Sequence, residues 1–210
     1  ETRWYESSDE GKEQLEMLVK RDRNRPSVFF WSVGNEEYHH RTEVGRRIYK
    51  SLAAFVKKLD DTRPVTTAVT NDPETAVVHE EVDFIGVNYY LDRYAKMREN
   101  FPDVPVISAE CCATPSSRGW YFEDSPEKGK YSAYDKDIAA WCIAREKAWK
   151  FICEREWVAG EYQWIAFEHR GEAVWPRLCS VSGAIDLFLQ KKDAFYQNQS
   201  HWIEDRPIVH

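Results

Sequence analysis

Residues 23–37 read Arg-Asn-Arg-Pro-Ser-Val-Phe-Phe-Trp-Ser-Val-Gly-Asn-Glu-Glu, and this stretch decides the fold. Pro26 favours an extended conformation before it, and the apolar run 28–31 is too short and too β-prone for a helix. A continuous apolar run without alternation is typical of a parallel strand covered on both faces. The run therefore predicts a buried strand. Asn35, Glu36 and Glu37 place an amide and two carboxylates at its carboxyl end.

An apolar strand that ends in polar groups recurs twice downstream. Residues 82–90 end in Asn-Tyr-Tyr, and residues 102–110 deliver a single glutamate, Glu110, after an apolar run. A charged side chain directly after a buried apolar run indicates that this side chain faces solvent or a functional site. The sequence also predicts a helix over about 9–21, a helix along the apolar stripe 44–59 and a strand over 65–69. Strands and helices thus alternate, as in an α/β fold.

The second half of the chain is predicted to contain one long connection and one helix. The connection, residues 111–135, directly follows Glu110, so we expect this loop to lie over the functional site. Apolar residues at helical spacing between Ile138 and Ile152 predict an amphipathic helix.

The segment Trp31-Ser32-Val33-Gly34-Asn35-Glu36 resembles the Trp-Ser-x-Gly-Asn-Glu acid/base motif of glycoside hydrolase family 2. Similarity to that family extends over nearly the whole chain. It implies a TIM (β/α)8 barrel, of which residues 1–210 would form strands four to eight, as the C-terminal part of the catalytic domain of a longer enzyme. Glu1 would then lie at the exit of the third strand. Without this resemblance, residues 35–37 are more often a solvated loop before a helix.

The resemblance also implies roles for individual side chains. Glu36 would be the acid/base and Glu110 the nucleophile, while Asn35 would hold the 2-hydroxyl of the sugar. Tyr90 would hydrogen-bond the nucleophile, although on its own it is equally a half-buried packing residue. The stretch 160–172 resembles the eighth strand of the family, in which Trp164 would form the floor under the sugar.

His169 marks a departure from the family pattern. The family usually shows Asp-Tyr where this chain has Glu168-His169, and the departure bears on the preferred sugar. His169 is therefore a candidate substrate contact. A lone histidine is nevertheless more often a surface residue than a ligand.

The predicted chemistry follows from two carboxyl groups, one protonated and one ionised, at the same acetal. Glu110 would attack the anomeric carbon and Glu36 would protonate the leaving oxygen, giving a covalent glycosyl-enzyme and retained configuration. Similarity to bacterial β-galactosidases favours an exo-β-glycosidase acting on terminal β-D-galactosides. A β-glucuronidase is the first alternative. Arg177 can bind the carboxylate of a glucuronate, although residues 175–183 lack the family's Asn-x-Lys pair. A non-catalytic carbohydrate-binding fragment is the second.

Composition limits the partners. A net charge of -7 argues against nucleic acid or an anionic membrane, and the sequence contains no run of eighteen apolar residues. The expected partner is a β-linked sugar, with the rest of the barrel or a second copy as further candidates.

Five cysteines without C-x-x-C spacing predict buried free thiols, with neither a zinc site nor a disulfide framework. No cofactor is predicted: some relatives hold magnesium through Glu-x-His, where this chain has Tyr5-Glu6-Ser7.

Overall fold

The computed structural model describes residues 8–208, in two compact units. Unit 1 comprises the residues up to Ala109 together with Trp157–Gly160, and unit 2 comprises Glu110–Glu156 and the residues from Glu161 onward. The predictions for Glu1 and for Tyr5-Glu6-Ser7 lie outside the described residues.

Unit 1 is built on a sheet whose strand order follows the chain. Five strands form it in the order β1 (Trp31–Asn35), β2 (Val65–Val69), β3 (Ile85–Asn88), β4 (Val106–Cys111) and β5 (Val158–Gln163), the last two ending in unit 2. β1 pairs in parallel with β2, and β2 pairs in parallel with β3. Parallel neighbours need crossover connections, and the helices between the strands provide them. The predicted α/β order is confirmed.

Two of the helices of unit 1 begin at polar caps. α1 (Asp9–Asp22) follows Ser8, whose hydroxyl accepts a hydrogen bond from the Gly11 amide at 3.2 Å. α2 (Glu43–Leu59) follows Thr42, which accepts from the Gly45 amide at 3.1 Å. α3 is Tyr94–Asn100, and three short 3-10 turns cover Pro73–Thr75, Val77–Glu81 and Leu91–Arg93. Apolar side chains of α1, α2, β1 and β2 form the core: Leu15, Val19, Val33, Leu52, Val56, Val65 and Val69.

The predicted strand over 28–31 is wrong in its position. β1 begins only at Trp31, and Phe29 is 61% exposed. The Val28 carbonyl accepts a hydrogen bond from the Arg63 guanidinium at 2.6 Å. The apolar run therefore leads into the strand instead of forming it, and the strand itself ends in Asn35.

Unit 2 contains α4 (Arg145–Cys153), α5 (Asp193–Trp202) and a 3-10 turn, Pro126–Lys128. The helix predicted from Ile138 starts seven residues later, so that prediction is wrong at its beginning. The carboxylate of Asp135 accepts hydrogen bonds from the backbone amides of Arg145 at 2.9 Å and Glu146 at 3.0 Å. These bonds satisfy amides in the first turn of α4 and fix its start. None of the helices within residues 8–208 has the length and apolar content needed to cross a bilayer.

Candidate functional site

The carboxyl end of β1 presents the first group of candidate residues. Asn35 is the last residue of the strand, paired opposite Ala68, and the Glu36 amide donates to the Ala68 carbonyl at 3.0 Å. Glu36 adopts a left-handed conformation with φ of 57°. Such a conformation is uncommon for a residue other than glycine, and strained residues of this kind concentrate at functional sites. Its neighbour Glu37 is buried.

Asn88, the last residue of β3, joins the two candidates of β1. Its side-chain amide donates to Asn35 Oδ1 at 3.0 Å and to Glu36 Oε1 at 2.9 Å. Asn88 is fully buried, whereas Glu36 is exposed, so the hydrogen bond between them is only partly shielded from water. The amide therefore fixes the orientation of the Glu36 carboxyl group. Sequence analysis did not assign this role, although a polar residue at a parallel strand's carboxyl end was the available signal.

Left-handed residues also follow β2 and β3. They are Asn71, Asp72, Tyr89 and Tyr90. The Tyr90 hydroxyl donates to Asn71 Oδ1 at 2.7 Å, so these two strand ends are joined by a side-chain hydrogen bond. Because the hydroxyl carries a single proton, donation to the nucleophile requires Tyr90 to leave Asn71. The role given to Tyr90 stays a prediction.

In unit 2, Glu110 lies next to last in β4 and is half-buried. The Trp164 amide donates to the carbonyl of Cys111 at 2.8 Å, which places Trp164, the residue after β5, beside the end of β4. The His169 ring packs edge-on against Trp164, with ring centroids 5.8 Å apart. His169 Nε2 lies 3.7 Å from Glu172 Oε2, and both side chains are partly exposed. Unit 2 thus brings Trp164 and His169 together.

Lys192 is a buried cation that sequence analysis missed. Its side chain is 1% exposed, and its ammonium group donates to Glu168 Oε1 at 2.9 Å and to the carbonyls of Ser116 and Val181 at 2.8 Å each. Burial lowers the pKa of Lys192, and the hydrogen bond that Lys192 donates to Glu168 opposes that shift. Lys192 thereby connects the segments around Ser116 and Val181 to Glu168, the residue before His169. In the sequence it resembles an ordinary surface lysine.

The cysteines are free, and four of the five are buried: Cys111, Cys112, Cys142 and Cys179. The prediction of buried thiols is confirmed for these four and is wrong for Cys153, which is exposed. The hydrogen bond with Cys112, together with burial, raises the pKa of Cys111 well above its ordinary value. Cys111 is therefore a neutral thiol at neutral pH.

The family model for "Glycosyl hydrolases family 2, TIM barrel domain" matches residues 4–145. That match covers more than half of the chain. The chain belongs to glycosyl hydrolase family 2. Membership confirms the predicted TIM-barrel fold class and agrees with the five-stranded sheet. It also makes the chain part of a glycosidase family.

Relatives in family 2 carry more than one substrate name. A β-galactosidase of Bacteroides ovatus is 30% identical over 93% of this chain and 29% of the relative. A putative β-glucuronidase of Formosa agariphila is 28% identical over 91% of this chain and 21% of the relative. The chain therefore spans less than a third of the length of either relative.

Solved structures of two enzymes superimpose on most of the chain. A family 2 member from Bacteroides cellulosilyticus has a TM-score of 0.69 at 30% identity, covering 94% of this chain and 22% of the other. The Ruminococcus gnavus β-glucuronidase has a TM-score of 0.75 at 21% identity, covering 92% and 35%. At 21% identity the second likeness supports the fold alone.

Proposed function

We propose that the protein is a retaining exo-β-glycosidase in which Glu36 is the acid/base and Glu110 the nucleophile. The observation that carries the proposal is the position of Glu36. It ends the Trp31–Glu36 family motif, directly follows β1 and accepts a partly buried hydrogen bond from Asn88 at 2.9 Å. A carboxyl group in that position is held in one orientation at the strand end where barrel enzymes place catalytic groups.

The reaction would proceed by two displacements. In the first, a Glu110 oxygen bonds to the anomeric carbon while the bond to the aglycone breaks and Glu36 gives its proton to the departing oxygen. In the second, Glu36 takes a proton from water, whose oxygen bonds to the anomeric carbon as the ester to Glu110 breaks. Asn35 would donate to the sugar 2-hydroxyl, and Trp164 would support the ring face.

A terminal β-D-galactoside is the leading substrate. The Bacteroides ovatus relative, named a β-galactosidase, supports this choice, as does the lack of an Asn-x-Lys pair in residues 175–183. A neutral sugar needs no buried cation at its 6-position, whereas a uronate carboxylate does.

A β-glucuronide is the second candidate, and a cavity in unit 2 favours it. This cavity, of about 380 Å³, is lined by Arg118, Lys128, Lys130 and Arg177 among other residues. Arg118 pairs with Asp186 at 2.8 Å, but the other three cations form no ion pair with any residue in the described range 8–208. Unpaired cations around a cavity suit a carboxylate-bearing ligand.

Two variants of the full-length protein that carries this chain test the catalytic assignment. Glu110→Gln should abolish release of nitrophenol from 4-nitrophenyl β-D-galactoside and leave sugar binding intact, because the amide cannot form the covalent ester. Glu36→Ala should slow alkyl galactosides more than aryl ones, and added azide should restore the aryl rate. Glu43→Gln, a change on an exposed helix residue, is the control.

Each assignment can be refuted by one result of these assays. A Glu110→Gln variant that keeps most of its rate would refute the nucleophile assignment, and equal losses on both substrates in Glu36→Ala would refute the acid/base assignment. Faster release from the β-glucuronide than from the β-galactoside would replace the leading substrate with the second. Sugar binding without turnover in the unmodified protein would establish a non-catalytic carbohydrate-binding protein.

A further inference from the structure

Three potential metal ligands meet where β4 ends beside β5. Cys111 Sγ lies 3.2 Å from Cys112 Sγ and 3.3 Å from Glu161 Oε2. All three ligand atoms lie within 4.8 Å of one another, and all three residues belong to unit 2. The proposed glycosidase mechanism uses none of them.

Backbone geometry brings the two thiols together. Consecutive side chains of a regular strand point to opposite faces of the sheet. Cys112, however, is left-handed with φ of 59°, and its sulfur lies beside that of Cys111. A left-handed conformation is uncommon for cysteine. The strand end is therefore shaped in a way that pairs two soft ligands.

The carboxylate is oriented by its own partner. Gln163 donates through its side-chain amide to Glu161 Oε1 at 2.9 Å, which leaves Oε2 facing the sulfur of Cys111. Outer partners of this kind orient metal ligands and contribute to affinity. The amide of Trp164, bonded to the Cys111 carbonyl at 2.8 Å, keeps the two strand ends adjacent.

We propose that Cys111, Cys112 and Glu161 form a binding site for one thiophilic divalent cation, Zn²⁺ or Cd²⁺. Two thiolates and one carboxylate suit such ions, whereas Mg²⁺ and Ca²⁺ prefer oxygen ligands alone. With Zn–S bonds of about 2.3 Å and tetrahedral angles, the two sulfurs would stand roughly 3.7 Å apart. The observed 3.2 Å is therefore within about half an ångström of the metal-bound spacing.

Charge and proton balance also fit a divalent cation. On binding, each thiol releases its proton to solvent as its sulfur bonds to the metal, so two protons leave for one cation bound. Two thiolates, one carboxylate and one divalent cation leave a single net negative charge. Glu161 remains partly exposed, so the carboxylate side of the cluster is reachable from solvent. Three protein ligands leave a fourth position for water.

Cadmium titration of the reduced, full-length protein tests the site. The sulfur-to-cadmium charge-transfer band in the ultraviolet should saturate at one equivalent per chain. Cys112→Ser should weaken binding at least about 100-fold, a larger loss than outer-partner changes produce, and Glu161→Gln should weaken it about 10-fold. Zn²⁺ should displace the bound cadmium.

Cys153→Ser and Cys179→Ser are the controls, because they remove an exposed thiol and a buried thiol outside the cluster. Both should keep the band. Absence of one-equivalent binding in the unmodified protein would overturn the proposal. So would a band that survives Cys112→Ser or disappears in either control. Circular dichroism of each variant verifies folding, and the readout requires no glycosidase activity, so the site stands or falls independently of the proposed function.

Discussion

Replacing Asn88 by alanine tests whether the amide at the end of β3 positions the acid/base. Asn88 donates to Glu36 Oε1 at 2.9 Å and to Asn35 Oδ1 at 3.0 Å, and it is fully buried. Alanine removes both donors, so the Glu36 carboxyl group can rotate away from its reactive orientation. Asn88 acts through Glu36, and we therefore treat it as a positioning residue.

The magnitude follows from the protonation state of the acceptor, because Glu36 carries its proton until the first displacement. A hydrogen bond between neutral groups contributes about 0.5–1.5 kcal/mol, and each 1.36 kcal/mol corresponds to a tenfold change in rate. Asn88→Ala should therefore lower kcat/KM about 2- to 10-fold. Asn88→Asp keeps the shape but directs a carboxylate at Glu36. Glu36 is ionised after the first displacement, and two like charges about 4 Å apart near a protein surface repel by roughly 4 kcal/mol. The aspartate variant should therefore be slower still in hydrolysing the glycosyl-enzyme.

The assay compares two galactosides in the full-length protein. A variant with a misplaced acid/base should lose more rate on an alkyl galactoside, which needs protonation of its leaving oxygen, than on an activated aryl galactoside. Asn24→Ala, an exposed asparagine in unit 1, is the control and should change neither rate. A folded Asn88→Ala protein with an alkyl-galactoside rate within twofold of the unmodified protein would refute the positioning role.

Three stability predictions rest on buried groups. Burial lowers the pKa of His79 from 6.5 to about 4, so the unfolded state takes up its proton first as the pH falls through that window. The free energy of unfolding should drop by about 3 kcal/mol between pH 6.5 and 4. His79→Gln should reduce this dependence on pH, measured by urea denaturation at each pH. An unchanged dependence in the variant would contradict the role of His79. Gly34→Ala would place a methyl group 2.5 Å from the buried Tyr49 ring, and we expect a cost of about 1–3 kcal/mol, visible as a lower Tm. Lys192→Met leaves the carboxylate of Glu168 buried without its cation, and the free energy of unfolding should fall by about 3–5 kcal/mol in chemical denaturation. A fall of less than about 1 kcal/mol would argue against the buried ion pair.

Local patterns in the sequence predicted the elements of unit 1 well. β2 occupies the predicted residues 65–69, and α2 occupies the predicted stripe up to Leu59. β1 ends where the polar residues begin, at Asn35, although it starts later than predicted. These features depend on short runs of apolar residues and on caps next to them, which a single sequence displays directly.

Contacts between distant segments were not predictable in the same way. Asn88 and Glu36 are 52 residues apart, and Cys111 and Glu161 are 50 residues apart. Their meeting depends on which strands are neighbours and on the side chain's direction at each strand end. The start of α4 has the same origin, because its amides bind Asp135 ten residues upstream. The family resemblance supplied roles for single residues but did not supply these supporting contacts.

The assignment of Glu110 as nucleophile is tested most directly by trapping the covalent intermediate. A 2-deoxy-2-fluoro-β-D-galactoside with a good leaving group should form the glycosyl-enzyme and hydrolyse it slowly, since the fluorine destabilises the oxocarbenium-like transition state. Peptide mass mapping of the full-length protein should then find one fluorosugar, on the peptide that contains Glu110. A label on any other residue, or inactivation that leaves Glu110 unmodified, would contradict the account.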